Sequence, residues 1–185
     1  MRYCLMLFTK EFPTKEKIDN MMKKYTWGNN HSENHDEYPQ FTYDWYQIGG
    51  RYNGSIKLKV VLEDEKYRWQ YYAREPRNGR LFWSFLLNDM QRNMKTALYD
   101  EGKYLCSMGA NDGFLYVDGA WIADILNFDE QDCYTFMTAD GEAYSRKWWN
   151  GDDFIPNDDF EEKLKFAKDK AKEENQFVTI IDYHD

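Results

Sequence analysis

Two side chains near the end of the chain, Asp182 and His184, have the types and spacing of a catalytic pair. The apolar segment 177–183 predicts a strand, and residues two apart on a strand point to the same face. A histidine beside a carboxylate can act as a general base or supply part of a metal-ligand pair. The alternative interpretation is a solvated histidine at a chain end.

Asp44 and Arg51 flank the paired glycines Gly49-Gly50 in the segment DWYQIGGRYNG. The aromatic residues before the glycines favour a strand, whereas the glycines predict a bulge, a turn with positive φ or a close backbone approach. Asp44 and Arg51 can pair with each other or both face a ligand. If the fold brings them to His184 with Asp182, an acid, a base and an anion clamp would suit phosphodiester chemistry without a metal.

A second histidine pattern, His31 and His35 with Glu33 and Asp36, lies in the polar segment 29–40. On a helix this spacing can bind a metal, but the Asn, Ser and Pro content predicts a solvated loop without a third ligand. The sequence also lacks Walker-type, GxGxxG, HExxH and GxSxG motifs. We therefore expect neither a metal site nor a cofactor.

Binding to a partner is the other possibility, because aromatic and acidic residues are concentrated in the second half of the chain. Trp148 and Trp149 are adjacent on a predicted strand, so at least one is exposed or covered by a loop. Residues 111–162 contain fourteen Asp and Glu against two Lys and Arg, which favours docking on a basic surface. The residues expected to contact a partner are Trp45, Tyr46, Gly49, Gly50, Arg51, Tyr52, Trp148, Trp149, Asp152, Asp153, Asp158 and Asp159.

A basic stretch lies earlier, where residues 51–80 contain eight Lys and Arg against four Asp and Glu. Its segment 68–80 mixes arginines with Trp69, Tyr71 and Tyr72, and such a mixture can stack on bases and hold phosphates of RNA. The alternative is an amphipathic strand followed by a charged turn. We favour the alternative, because the nearby acidic residues weaken the patch.

The elements that must position these residues can be predicted from their periodicity. We expect a buried strand at 2–8, then a helix capped by Thr14 that ends near Trp27-Gly28. Strands at 41–48 and 55–62 are predicted to pair across the glycine turn. The intervening region is predicted to hold a strand at 67–73, a helix at 81–98 and a loop-rich stretch at 102–113.

Two Asp-Gly pairs predict hairpins, one turning at Asp118-Gly119 and one at Asp140-Gly141. Asn157 is a predicted cap for a second helix, with Asp158 and Asp159 in its first turn. On that helix Phe160, Leu164, Ala167 and Ala171 share one face.

The fold class follows from these elements: α+β, with an antiparallel or mixed sheet and two main helices packed on it. The 185 residues suit a single domain, 1–185, with a possible insertion around 66–133. Aromatic residues make up 18% of the chain, which is ample for a core. The apolar runs are too short for a membrane helix or a secretory signal, and three widely spaced cysteines predict reduced thiols. We therefore expect a cytoplasmic protein without membrane contact.

The segment Tyr43–Gly54 resembles the DWY-x-x-GGRW-x-G signature of a family of small proteins carried by phages and other mobile elements. Members of that family start on a short strand and end on a strand finishing in Asp-x-His, as Asp182-Tyr183-His184 does here. The segment 139–144 also resembles the family's DG-x-W/Y hairpin. Tyr52 departs from the pattern, since tryptophan is usual at this position, and the region from about 66 to 133 is not covered. The resemblance implies a mobile-element origin but no particular reaction.

These observations lead to two expected functions of different classes. The first is a counter-defence protein that binds and inhibits a host immune complex, such as a CRISPR–Cas effector, in the manner of an anti-CRISPR inhibitor. Its partner would be a host defence protein or ribonucleoprotein with a basic surface. The second is a nuclease or related hydrolase acting on RNA or DNA, metal-independent or metal-assisted, in which His184, Asp182, Arg51 and Asp44 would carry the reaction.

Overall fold

The last strand of the chain is the one around which the sheet is assembled. The structure, a computed structural model, describes residues 1–26, 41–52, 54–61, 104–108, 114–150 and 152–185. Within these ranges the helices are Lys15–Lys23 (α1) and Phe160–Glu173 (α2), with short 3-10 turns at Gly50–Tyr52 and Ile122–Asp124. The strands are Arg2–Thr9 (β1), Trp45–Ile48 (β2), Ile56–Val61 (β3), Tyr104–Met108 (β4), Phe114–Trp121 (β5), Thr135–Met137 (β6), Ala143–Ser145 (β7), Lys147–Trp149 (β8), Phe154–Pro156 (β9) and Phe177–His184 (β10).

Eight of these strands form one mixed sheet with the main order β3-β5-β10-β1-β6-β7. β10 pairs antiparallel with β1 along its whole length, so that Arg2 lies opposite His184. On its other edge β10 pairs first with β5 and then with β2. Only the β1–β6 pairing is parallel among the described strands. The sheet with its two helices confirms the predicted α+β fold.

Both faces of the sheet are covered, and the alternation of side chains along β1 and β10 explains how. Leu5 and Leu7 point to the face covered by α1, where Ile18 and Met22 are buried. The alternate residues of β1, such as Met6 and Phe8, point to the face covered by α2. Because successive strand residues face opposite sides, a central strand covered on both faces is mostly apolar.

The first helix begins as predicted, since the Thr14 side chain accepts a hydrogen bond from the backbone N–H of Lys17. It ends at Lys23, about one turn before the predicted end. The N–H of Tyr25 bonds to the carbonyl of Met22, which tightens the last turn, and the Tyr25 ring stacks on Phe41 with centroids 4.6 Å apart. Packing between these rings therefore turns the chain earlier than the periodicity indicates.

The second helix has the predicted buried face, but its predicted cap is wrong. Asp159 occupies the N-cap position without a side-chain capping bond, and Phe160 is the first helical residue. The Asn157 side chain instead donates to the carbonyl of Ser145, which ties the segment before α2 to β7. The side chain of Asn157 thus links two elements, while the N-cap position falls on Asp159.

Of the two predicted hairpins, the one over Asp140-Gly141 is confirmed and joins β6 to β7. The other is wrong, because β5 runs through Asp118-Gly119 without turning. β5 has neighbours on both edges, and the buried Asp118 carboxylate accepts the backbone N–H of Gly54 at 2.9 Å. In the segment 102–113, which was predicted to be rich in loops, the described residues Tyr104–Met108 form the strand β4.

Several predictions fall on residues outside the described ranges. These are the histidine loop 29–40, the strand 67–73, the basic and aromatic segment 68–80 with its RNA contact, and the helix 81–98. Of the expected insertion at 66–133, the described part contributes β4 and β5 to the main sheet. None of the described helices is long and apolar enough to span a membrane.

Candidate functional site

The glycine turn moves the chain from one central strand to another. β2 pairs with β10, whereas β3 pairs with β5, so the predicted pairing of β2 with β3 is wrong. Gly49, Gly50 and Gly54 have φ of 71°, 55° and 66°, and a 3-10 turn, Gly50–Tyr52, begins at the second of them. Left-handed backbone at three positions redirects the chain instead of closing a tight hairpin.

Two buried carboxylates hold this turn in place. Asp182 of β10 accepts the backbone N–H of Arg51 at 2.9 Å, and Asp118 of β5 accepts that of Gly54 at the same distance. Both side chains are almost completely inaccessible to solvent. Hydrogen bonds to a charged acceptor are strong, so each carboxylate fixes one end of the turn to its strand.

Gly50 is required because the turn lies directly on Asp182. A Cβ atom at Gly50 would lie 2.5 Å from both the Cβ and the Oδ2 of Asp182. The absence of a side chain at Gly50 thus allows the backbone to approach a buried side chain closely. Sequence reasoning anticipated the close approach at the glycines but not the carboxylate beneath them.

Asp182 does not form a pair with His184, although both lie on the same face of β10. Asp182 is fully buried beneath the turn, where Arg2 Nη1 lies 3.5 Å from its Oδ2. Among the described residues, its buried Oδ1 has no hydrogen-bond partner. His184, one position from the chain end, is about one-third exposed. The geometry gives Asp182 a role in positioning the turn.

Asp44 is the carboxylate that contacts His184. The Nδ1 of His184 lies 3.0 and 3.1 Å from the two carboxylate oxygens of Asp44. The backbone N–H of Asp44 also donates to the carbonyl of His184 at 3.0 Å. A carboxylate that accepts Nδ1–H fixes the orientation of the imidazole ring, as the carboxylate beside a histidine general base does.

Arg2 and Trp45 complete a cluster around this pair, called here the terminal cluster: Arg2, Asp44, Trp45 and His184. The Trp45 and His184 rings are nearly parallel, with centroids 5.9 Å apart. The Arg2 guanidinium lies over Trp45 at 4.6 Å, and the amino group of Met1 lies 3.4 Å from His184 Nε2. Arg2 was not predicted from the sequence. Pairing the first and last predicted strands antiparallel would have placed Arg2 opposite His184.

Arg51 is held in this region by its backbone N–H, which donates to Asp182. Its side chain is exposed and makes no hydrogen bond or ion pair with another described residue. It therefore does not pair with Asp44 within the described ranges, where Asp44 contacts His184 instead. An exposed guanidinium beside the turn can still reach an anionic ligand.

The other aromatic residues of the stretch are engaged in packing. The Tyr46 hydroxyl donates to Asp19 of α1, and burial together with that carboxylate raises the pKa of Tyr46. Tyr52 packs against the core on the α2 face, where burial raises its pKa as well. Tyr46 and Tyr52 thus hold β2 and the turn to the two layers beside them.

Cys4 lies opposite Asp182 in the β1–β10 pairing but has no nucleophilic character. Burial, followed by the charges of Asp132 and Asp182, raises the pKa of the Cys4 thiol to about 12. A thiol with so high a pKa is almost entirely protonated at neutral pH. Among the described residues, no three His, Cys, Asp or Glu side chains form a group that could hold a metal.

A second candidate site lies on the β8–β9 hairpin, whose strands pair only with each other among the described strands. Trp149 and Phe154 face each other across it, 40% and 51% exposed, with ring centroids 5.1 Å apart. Trp148, on the other side of β8, is half-buried. The adjacent tryptophans therefore differ in exposure, as alternation along a strand requires.

Comparison of the chain with protein-family models, with curated proteins and with solved structures returned no match in any of the three. Function is therefore inferred from the side chains of the terminal cluster and of the hairpin. The two sites offer different chemistry, because one contains an oriented imidazole and the other an exposed apolar surface beside carboxylates.

Proposed function

We propose that the protein is a counter-defence protein carried by a phage or another mobile element. It binds and inhibits a host immune complex with a basic surface, such as a CRISPR–Cas effector. The observation that carries this proposal is the exposed ring pair of Trp149 and Phe154 among acidic residues. Two large rings at one hairpin tip have the character of a binding anchor. The resemblance of Tyr43–Gly54 to mobile-element proteins supports the class of target.

Hydrogen bonds join the described residues near the tip of the hairpin. The Asn150 side-chain oxygen accepts the backbone N–H groups of both Asp152 and Asp153 at 2.9 Å. The N–H of Asn150 also donates to the carbonyl of Asp153. These bonds hold the two strands and the rings on them, so little conformational entropy is lost when the rings are buried in an interface.

The acidic residues of this region divide into two groups. Asp153 Oδ1 accepts the N–H of Phe154, and Asp159 pairs with Lys163 at 2.7 Å. Asp152 and Asp158 are exposed and make no side-chain bond to another described residue. These two carboxylates are available to a basic partner, and complementary charge accelerates association between proteins.

A capture experiment tests the proposal. The protein is used as bait in a host that expresses its defence systems, and target cleavage by the captured complex is measured with and without the protein. We expect a defence complex to be retained and its cleavage to be inhibited. Trp149→Ala and Phe154→Ala should each lower the affinity at least tenfold, because the rings fill the interface core.

The charge prediction has a matched control. Asp152→Lys with Asp158→Lys should slow association about tenfold at low salt, and less at high salt, because steering is screened. Asp169→Lys with Glu173→Lys makes the same change in charge on exposed positions of α2 and should leave the rate nearly unchanged. Equal effects of the two pairs, or capture without any defence component, would count against the proposal.

The terminal cluster favours a second candidate function, a nuclease or related hydrolase acting on RNA or DNA. His184, oriented by Asp44, would be the general base, and Arg2 or Arg51 would hold a phosphate. Asp182 would act only by positioning the turn from which Arg51 extends.

This second function is tested by incubating the protein with RNA and DNA, with and without divalent metal. We expect any cleavage to fall at least a hundredfold in His184→Ala and about tenfold in Arg51→Ala. Lys10→Ala, an exposed basic position outside the cluster, is the control and should retain the rate. Cleavage that survives His184→Ala would remove this assignment.

A further inference from the structure

A groove separates α2 from the β6–β7 hairpin and has a cavity volume of about 470 Å³. Its floor is apolar, because the buried rings of Phe8 and Phe136 and the side chain of Ala167 line it. Tyr144 of β7 and Phe166 of α2 also line the groove. A cavity of this size and character is typical of a site that receives a ligand or a peptide side chain.

Phe166 is the feature of this groove that the fold itself does not require. Its side chain is 72% exposed, although its helical neighbours Leu164 and Ala167 are buried. A single exposed ring is common on protein surfaces, but this one adjoins the apolar lining of a groove and extends it. Thr138 also lines the groove, and its buried hydroxyl has no hydrogen-bond partner within the described part of the chain.

The rim of the groove is acidic. Asp140, Glu142, Asp159 and Glu162 face two lysines, Lys163 and Lys170, which leaves two net negative charges. Lys163 already lies over the Tyr144 ring at 4.7 Å, so a ring in this groove accepts a cation. The groove thus has an apolar floor, an aromatic wall and an acidic rim. These features together match a side chain that has an apolar stem and a cationic end.

We propose that the groove binds a basic amphipathic segment of a partner protein, in which apolar side chains alternate with arginines. The arginine ends would meet Asp140 and Glu162, and the apolar side chains would cover Phe166. Nucleic acid does not fit, because the acidic rim repels phosphates. This inference rests on the proposed function, since the groove would supply a second contact for the same basic partner. The groove residue Asp159 is three residues from Pro156, where β9 of the hairpin ends.

The test uses a defined probe, a fluorescein-labelled amidated peptide that alternates arginine with leucine and phenylalanine, and the full-length protein. Binding is followed by fluorescence anisotropy at low salt, and a peptide with glutamate in place of arginine serves as the negative probe. We expect saturable binding of the basic peptide only. Phe166→Ser, and separately Asp140→Lys with Glu162→Lys, should weaken it at least tenfold.

Two controls separate this site from other acidic surfaces. Glu16→Lys with Glu130→Lys makes the same change in charge at exposed positions that do not line the groove, and Asp152→Lys with Asp153→Lys makes it on the hairpin. Both should leave peptide affinity within about twofold. Circular dichroism confirms that each variant is folded, as expected for substitutions at exposed positions.

The inference is overturned if the basic peptide does not bind, if Phe166→Ser leaves its affinity unchanged, or if the control pairs weaken it equally. These failures are distinct from failure of the proposed function, which depends on Trp149, Phe154, Asp152 and Asp158. Partner capture that requires the hairpin but not Phe166 would also overturn the groove proposal while leaving the proposed function intact.

Discussion

Gly50→Ala is expected to lower the free energy of unfolding by about 3 kcal/mol, the sum of an overpacking cost and the cost of left-handed backbone at a residue with a side chain. The added Cβ would lie 2.5 Å from the Cβ and Oδ2 of Asp182, at a position where φ is 55°. Asp182 cannot retreat, because it lies in the central strand β10 between β1 and β2. The measurement is urea denaturation of both proteins followed by circular dichroism.

Gly141→Ala is the matched control for this prediction. Gly141 also has positive φ, 85°, but an added Cβ there would meet no heavy atom of the described residues within 4 Å, its chain neighbours apart. Its cost should be that of the backbone alone, about 1 kcal/mol. If the two variants are destabilised equally, the contact between Gly50 and Asp182 does not constrain the turn.

Thr135→Val is expected to cost about 3 kcal/mol, because it leaves two buried hydroxyls without a partner, at about 1 to 3 kcal/mol each. Thr135 Oγ1 lies 2.6 Å from both Ser145 Oγ and Tyr183 OH, so its hydroxyl joins β6, β7 and β10. All three side chains are buried. Valine has nearly the same shape as threonine and suits a strand, so the change removes the hydroxyl with little change in packing.

The control is Thr42→Val, where the hydroxyl bonds to Asp185 at an exposed site. Water can replace that partner, so the expected change is about 0.5 kcal/mol or less. Both variants are compared with the unchanged protein by urea denaturation. An unchanged dependence of the unfolding free energy on urea concentration indicates that unfolding remains two-state. A loss below about 1 kcal/mol in Thr135→Val would mean that the freed hydroxyls find other partners.

The two predictions concern the strand that positions the terminal cluster. Asp182, Tyr183 and His184 are consecutive on β10, and they face the glycine turn, Thr135 and Asp44 in order. Destabilising either buried contact should therefore disturb the pairing of His184 with Asp44. Along the strand, Tyr183 is one residue and Asp182 is two residues from His184 of the candidate site.

Elements with local signals were predictable from the sequence. The Thr14 cap, the buried face of α2, the apolar strands at both ends and the turn at Gly141 all depend on residues within about ten positions of one another. Capping, periodicity and turn chemistry act over such distances, so these patterns predicted the α+β class correctly. The exposure difference between Trp148 and Trp149 follows from alternation in the same way.

The tertiary structure alone decided which residues meet. Asp118-Gly119 has the residues of a hairpin turn but lies within β5, because strands on both edges and the Gly54 N–H supply partners that a turn would lose. Asp182 and His184 share a face, yet one is buried beneath Gly50 and the other contacts Asp44, 140 positions away in the chain. Local patterns carry no information on such pairings, because strand order and register are set by the packing of the whole sheet.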